Sequence, residues 1–283
     1  MGIGELLWDV FLEGKQLGGA PANFAYHASQ FGFDSFAVSA IGTDKPGEEM
    51  EELLRQKKVK TLLNRVKFPT GTVLVKVDAK GIPNYEIKRD VAWDNICFSE
   101  ELKHLALQTS AVCFGSLAQR SEVSRLTIKR FLDSMPEMNT YKIFDINLRQ
   151  NFYNKEIIEE SLNKSNILKM NDEELVILAQ MFGYSSEKIE NNCINLLNDY
   201  NLKMLILTCG TKGSYVFSND RISFLETPKV EVVDTVGAGD SFTAAFCASI
   251  LEGKSINTSH KKAVEVSAFV CTRPGAMPYM DKR

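Results

Sequence analysis

Short apolar runs alternate with amphipathic stretches along almost the whole chain, and this alternation constrains its fold more than any other feature. Runs at 3–10, 35–41, 111–114, 142–146, 166–170 and 203–208 have the length and composition of strands. Between them, 21–31, 46–57, 100–107, 122–132, 172–181 and 187–199 carry helical periodicity. Pro21 and Pro46 suit first-turn helix positions, and Gly32 suits a helix end. Strands that alternate with helices imply βαβ units and a mostly parallel sheet covered on both faces, with ligands at the carboxyl ends of the strands. The 283 residues, 44% of them hydrophobic, can fill one large core, or one core with a small appendage. One segment breaks the rhythm. Residues 72–77 and 84–88 alternate as two strands around a turn at Asp78-Ala-Lys-Gly-Ile-Pro83. Such a hairpin either extends the main sheet or forms a small β lid that excludes water from a site.

Composition removes several classes of function. A formal net charge of −3 argues against a nucleic-acid partner, which needs a basic face. No apolar run approaches the roughly 20 residues of a membrane span. The first residues lack the basic and long apolar regions of a signal peptide, and Leu6 stands where a myristoylation site needs Ser or Thr. The six cysteines, with no C-x-x-C pair, read as free thiols, mostly buried, in a reducing compartment. A cytoplasmic location is therefore expected, in which the patterns Asn163-Lys-Ser and Asn257-Thr-Ser go unglycosylated. His27, His104 and His260 are too far apart in sequence for metal-ligand spacing.

Two clusters carry the chemistry. Asp234-Thr-Val-Gly-Ala-Gly-Asp-Ser-Phe242 runs into a helix whose small or apolar face is Phe242, Ala245, Phe246, Ser249 and Ile250, with Gly253 at its end. Gly237 and Gly239 thus lie at a helix N-terminus, where unpaired N–H groups and the helix dipole favour an anion and a missing side chain lets a phosphate approach. Asp240, in the same turn, reads either as a helix cap or as a base that takes a proton from an attacking hydroxyl. The second cluster is Leu17-Gly-Gly-Ala-Pro-Ala-Asn-Phe-Ala25. Its glycines end a loop, and Asn23 falls in the first turn of the next helix. With Asp9 at the end of the first strand, these residues suit a polyhydroxylated ligand, or merely mark a strand end and a helix start. Gly253-Lys-Ser255 is no Walker A loop, since Ala248 stands at the first glycine, and Gly2-Ile-Gly4 fails as a dinucleotide fingerprint at Leu7.

The segments 18–25 and 234–242, in that order near opposite ends of the chain, closely resemble the two signatures of the PfkB (ribokinase-like) carbohydrate kinases. The resemblance covers essentially the whole chain. It implies a three-layer α/β/α sandwich with a mostly parallel central sheet, in one domain spanning 1–283, with a β-sheet lid formed by about 10–17 and 70–94. Asp240 then resembles the catalytic base, and Gly237, Ala238 and Gly239 the anion hole. Asp9, Gly18, Gly19 and Asn23 resemble sugar contacts. Asn171-Asp-Glu-Glu174 resembles the segment that organises Mg²⁺ and the ATP phosphates, Glu174 acting through water. Thr208, Gly210 and Gly213 resemble the nucleotide loop. Asp145 and Asn147, in Asp145-Ile-Asn-Leu-Arg149, resemble a segment near the phosphates. Residues 270–276 look like a nucleotide-side closing loop that, with Asp234 and the Val236 carbonyl, holds a monovalent cation such as K⁺. The stretches 5–11, 15–23 and 85–94 look most like the fructokinase branch, which implies transfer from MgATP to fructose. Ribose, 2-keto-3-deoxygluconate or a nucleoside is the alternative substrate, and a catalytically silent binder of nucleotide or sugar the alternative function. Arg89 is either a sugar contact or an exposed lid charge. Lid edge strands invite pairing, and the resemblance implies a homodimer through them.

Overall fold

Gly4 decides how the chain enters its two sheets. β1 (Gly2–Ile3) pairs on both sides with parallel strands. The chain then leaves that sheet at Gly4, whose φ of 149° excludes most side chains. β2 (Leu7–Phe11) joins a different sheet, beside β3 (Gly14–Gly18). The single strand expected at 3–10 is therefore two, and Asp9 belongs to the second sheet rather than to the end of a main-sheet strand. The glycine pair likewise closes a strand, Gly18 being the last residue of β3 and Gly19 the next, where a loop was expected.

The computed structural model describes residues 1–12, 14–77 and 83–280. After β3 come α1 (Ala20–Gln30), β4 (Phe36–Gly42), α2 (Lys45–Gln56) and β5 (Lys60–Val66). β6 (Gly71–Val77) and β7 (Pro83–Ile87) are an antiparallel pair, and the residues expected to turn between them, 78–82, lie outside the described residues, as does residue 13. There follow α3 (Glu100–Gln108), β8 (Ala111–Phe114), α4 (Glu122–Ser134), β9 (Tyr141–Asp145), α5 (Lys155–Lys164) and β10 (Ile167–Asn171). α6 (Asp172–Phe182), α7 (Ile189–Asp199), β11 (Met204–Thr208), β12 (Ser214–Ser218), β13 (Arg221–Leu225), α8 (Ala238–Leu251) and α9 (Ile256–Cys271) complete the chain.

The larger sheet has nine strands in the order β13-β12-β11-β10-β9-β8-β1-β4-β5. It is parallel from β11 to β5, and β12 and β13 extend it antiparallel. Alternate residues of its strands feed two apolar layers. Phe114, Phe144, Leu168 and Leu207 face α3 to α7, through Leu102, Phe131, Leu162, Leu178 and Leu196. Ile143, Ile167 and Ile206 point the other way, against Phe24 of α1 and Phe242, Ala245 and Phe246 of α8. On that second face α2 adds Met50 and Leu54, packed with Ile41 of β4. The architecture is thus helix, sheet, helix. The smaller sheet, in the order β3-β2-β6-β7, is separate from the nine-stranded one but packs on it through Leu7, Val73 and Ile87; the chain enters it at Gly4, leaves it at Gly19, and returns to it for β6 and β7. Arg120 braces the end of β7: the guanidinium grips both carboxylate oxygens of Asp94 at 2.8 and 2.9 Å, bonds the Lys88 carbonyl and lies 3.9 Å over the Trp93 ring.

Among the described residues the six cysteines are all free, with four of them buried, and no helix is long and apolar enough to cross a membrane.

Candidate active site

The two signature segments meet where α1 packs on α8. The Asn23 side-chain amide donates to Asp240 Oδ2 at 2.7 Å, across 217 residues of sequence. Asn23 is buried, and its position follows from α1 beginning at Ala20 with Pro21 in the first turn. On α8, Gly237 is the N-cap residue with φ 76°, and no side chain caps the helix. Asp240 sits two residues beyond the first helical position, so its carboxyl is not the cap and is presented to Asn23 instead. A Cβ on Gly237 would stand 2.8 Å from the backbone of Ala276, so the turn is closed from behind by the segment that follows α9.

Charge in this region is dense. Asp240 is pushed up to about 6, first by burial of the carboxyl and then by the nearby Asp145, against the Asn23 hydrogen bond, Lys169 and Arg149, which favour the ionised form. Asp145, at the end of β9, is buried; Lys169 Nζ donates to its Oδ1 at 3.0 Å and Thr243 Oγ1 to its Oδ2 at 3.1 Å. Burial works against the Lys169 charge, but Asp145, Glu174 and Asp240 outweigh it and hold the ammonium firmly protonated.

Glu5, at the junction of the two sheets, is 2% exposed, and its Oε2 has no hydrogen-bond partner. Burial, with Asp240 and Asp145 as lesser causes, raises it to about 7 against its own backbone hydrogen bond and Arg149. An unfolded Glu titrates near 4.3, so between about pH 4 and 7 the folded chain binds more protons than the unfolded one, and stability is lost as pH rises through the folded value. Glu5→Gln is therefore expected to raise the melting temperature at pH 8 relative to wild type, by an effect of order 3 kcal/mol, with little change at pH 4.5. Melting curves of both proteins at the two pH values measure it, and equal shifts at both would remove Glu5 from the titrating set.

Of the expected sugar contacts, Asp9, Gly18, Gly19 and Asn23 cluster beside this centre. Asp9, on β2, is raised to about 6 by burial, with Arg149 pulling the other way. A Cβ on Gly18 would collide with the Asp9 carboxylate, and one on Gly19 would stand 2.5 Å from the Glu5 carbonyl, so both glycines make room for neighbours. Arg89, just past β7, is exposed and lies 4.8 Å from the ring centre of buried Phe152.

The expected phosphate-side residues gather along the carboxyl ends of β9, β10 and β11, where Asn171 pairs with Thr208. Asn171 and Glu174 form a reciprocal capping box at the start of α6. Glu174 is buried; Oε2 accepts from the Asn171 N–H and Oε1 from the Leu148 N–H. That second bond ties α6 to the turn holding Asn147, which has φ 46°. Gly210 has φ 55°, and Gly213 has φ 137° with the Leu225 carbonyl 2.5 Å from where its Cβ would be. Asp234 accepts from the Val236 N–H through Oδ1 and from the Gly275 N–H through Oδ2, locking the approach to the Gly237 turn onto the segment after α9. Two residues of this centre, Lys169 and Glu5, escaped the sequence reading. Each is one charge inside an apolar run, and the signal available was that charge itself.

The model of the pfkB family of carbohydrate kinases matches residues 9–283. The chain belongs to that family. It is 28% identical over 269 residues to an ATP-dependent 6-phosphofructokinase of Thermoanaerobacterium thermosaccharolyticum, covering 93% of this chain and 81% of that one. It is 28% identical over 249 residues to a fructokinase of Salmonella typhimurium, covering 84% and 79%. A solved sugar kinase of Pyrococcus horikoshii in complex with ATP superposes with a TM-score of 0.80 at 26% identity, over 98% of this chain and 93% of that one. The PfkB resemblance and the ribokinase-like α/β fold read from the sequence both hold.

Proposed function

We propose that this carbohydrate kinase transfers the γ-phosphoryl group of ATP to a hydroxyl of a free sugar, fructose being the first candidate. The observation that carries the reading is the Asn23–Asp240 contact, which joins a polyol-type cluster to a base beside a phosphate-type turn. Fructokinases among the relatives support the choice of sugar. In the reaction the sugar oxygen attacks the γ-phosphorus while its proton passes to Asp240. The bond from phosphorus to the β–γ bridging oxygen breaks, and ADP leaves with the electron pair. The N–H groups of the 237–239 turn receive the charge of the transferring group, and positioning supplies most of the remaining acceleration. The four-stranded sheet serves as the lid over the sugar, and its edge strands serve as the interface of a homodimer.

Among the described residues, no group of three or more His, Cys, Asp or Glu side chains is arranged to hold a metal. That fits Mg²⁺ arriving on the nucleotide phosphates with most of its water shell. Bound there, it would neutralise phosphate charge. Glu174, whose two oxygens already accept backbone N–H groups, would meet it only through water. Asn147 and Asn171 flank the phosphates in this reading, and Thr208, Gly210 and Gly213 border the nucleotide. Asp234, with the Val236 carbonyl, would hold K⁺ through lone pairs left over from its two backbone bonds.

ADP release measured over a panel of sugars tests the proposal, and release with no sugar at all would overturn it. Within the same reading, Asp9→Ala leaves sugar hydroxyls without an acceptor. A hydrogen bond to a charged group contributes about 1.5–3 kcal/mol, so the sugar KM is expected to rise about tenfold to a hundredfold while the ATP KM barely moves. An unchanged sugar KM would take Asp9 out of the pocket. A second reading, a sugar acid or sugar phosphate as substrate, is favoured by the Arg149 guanidinium, whose charge acts on Asp9. The panel therefore includes 2-keto-3-deoxygluconate and fructose 6-phosphate, with ribose and nucleosides.

A further inference from the structure

Lys169 stands where a strand residue should be apolar. Its neighbours along and across the sheet on the same face are Ile143, Ile167 and Ile206, all packed against α8. One step further toward the carboxyl ends, the register pair Asp145–Lys169 replaces that apolar column by an ion pair, Nζ to Oδ1 3.0 Å, with the lysine side chain 11% exposed. A buried ion pair is a poor device for stability alone, because desolvation offsets most of its attraction. This one occurs only at the level where α8 begins. A Cβ on Gly239 would stand 3.0 Å from Lys169 Nζ, so the ammonium lies against the bare backbone of the second helical residue. Asp145 holds it from below, and the Gly239 hydrogen leaves it room above.

Resting on the phosphoryl-transfer reading, we infer that Lys169 is a catalytic residue whose ammonium meets the transferring phosphoryl group at the Gly237–Gly239 turn. The local charge favours such a cation. Asp145, Glu174, Asp240 and Glu5 crowd the region that a polyanionic nucleotide must enter; backbone N–H groups carry only partial charge, and Arg149, the other cation acting on Asp240, is exposed. Lys169 carries a full positive charge whose position is fixed before the nucleotide arrives, because its salt bridge to Asp145 orients it. Charge that builds up on the phosphoryl oxygens as the bridging bond breaks then meets an ammonium in a water-poor setting, where such contacts act most strongly on the transition state. Gly239 has a helical backbone, so the missing side chain there serves this approach rather than an unusual φ.

The test is binding of a transition-state mimic, ADP with aluminium fluoride and Mg²⁺, together with whichever sugar the wild type phosphorylates. Lys169→Met is expected to weaken binding of the mimic about a hundredfold and to lower kcat by a similar factor, with ATP affinity within about threefold of wild type; Lys169→Arg should recover part of both. Mimic affinity equal to wild type in folded Lys169→Met would overturn the assignment. If Lys169→Met does not fold, the doubly neutral Asp145→Asn/Lys169→Met protein leaves no lone buried charge. It should fold and still bind the mimic about a hundredfold more weakly, whereas recovery of mimic binding would make the pair structural. A wild type that phosphorylates no sugar refutes the kinase reading and this inference together, while an active wild type with an unaltered mutant refutes this inference only.

Discussion

Asp240→Asn is expected to lower kcat by about 10²-fold or more and to leave ATP affinity close to wild type. The substitution keeps the size of the side chain. It also retains an oxygen that can accept the Asn23 amide hydrogen bond, which measures 2.7 Å in the wild type, so the packing of α1 on α8 is preserved. What it removes is the ability to take a proton. Because burial and Asp145 raise Asp240 to about 6, the wild type should lose activity as pH falls through about 6, when the carboxylate gains a proton and can no longer act as base. The residual activity of Asp240→Asn should lack that acid limb. The pH profile and the turnover number of the mutant are both read from initial rates of ADP release. Near-normal turnover would end the assignment of the base, and an unshifted limb in Asp240→Asn would move the titration to another carboxylate, Glu5 or Asp9.

Most of the framework was legible from the sequence, because parallel α/β architecture writes itself as alternating periodicities. The helices around Phe24, Leu54, Leu102 and Leu178 start and stop within a few residues of expectation, since prolines or caps mark them: Pro21 opens the first, and Asp44, Ser99 and Asn171 each accept a first-turn N–H; α5, which starts behind the Asn154 cap, was not expected. What was hidden depended on tertiary pairing. The break at Gly4 and Glu5 looks like one continuous strand, because apolar residues flank it and only the two-sheet topology separates Ile3 from Leu7. β3 and β5 are mostly polar or half-buried and carry little alternation. α9 begins at Ser255-Ile-Asn-Thr-Ser, which reads as a turn until the Ser255 hydroxyl is seen accepting the Thr258 N–H. In the site, the residues of the two signature segments could be named in advance because glycines and carboxylates at a helix start are chemically conspicuous. Lys169 could not, since a lone lysine near a strand end is more often a solvated tip. His27 was equally silent: it lies one turn beyond Asn23 on α1, buried and held near 4 by desolvation, and the neutral ring donates Nε2–H to the Ala276 carbonyl at 2.8 Å.

Gly237→Val is expected to abolish turnover while the protein stays folded. Gly237 combines two demands that no branched side chain meets. Its φ of 76° lies in the left-handed region, which costs a β-branched residue of order 1–3 kcal/mol. Its absent Cβ also faces the Ala276 Cβ at 2.7 Å and the Ala276 backbone at 2.8 Å. Valine must therefore push the segment after α9 away, rotate the turn, or both. The segment cannot yield freely, because Asp234 holds the Gly275 N–H at 2.9 Å and His27 holds the Ala276 carbonyl. The strain then falls on the turn itself, whose N–H groups point together at the transferring phosphoryl group in the proposed mechanism, and a displacement of about 1 Å there is enough to lose two orders of magnitude in rate. α8 itself is anchored lower down by Phe242, Ala245 and Phe246 in the apolar layer, so the helix and the sheet beneath it should survive. Circular dichroism and a melting curve establish that survival, and initial rates with saturating ATP measure the loss. A folded Gly237→Val protein with turnover within tenfold of wild type would place the phosphoryl group away from this turn. Gly237→Ala, which has the same unfavourable φ and a methyl pointing at the same Ala276 atoms but no branch, should fall between the two.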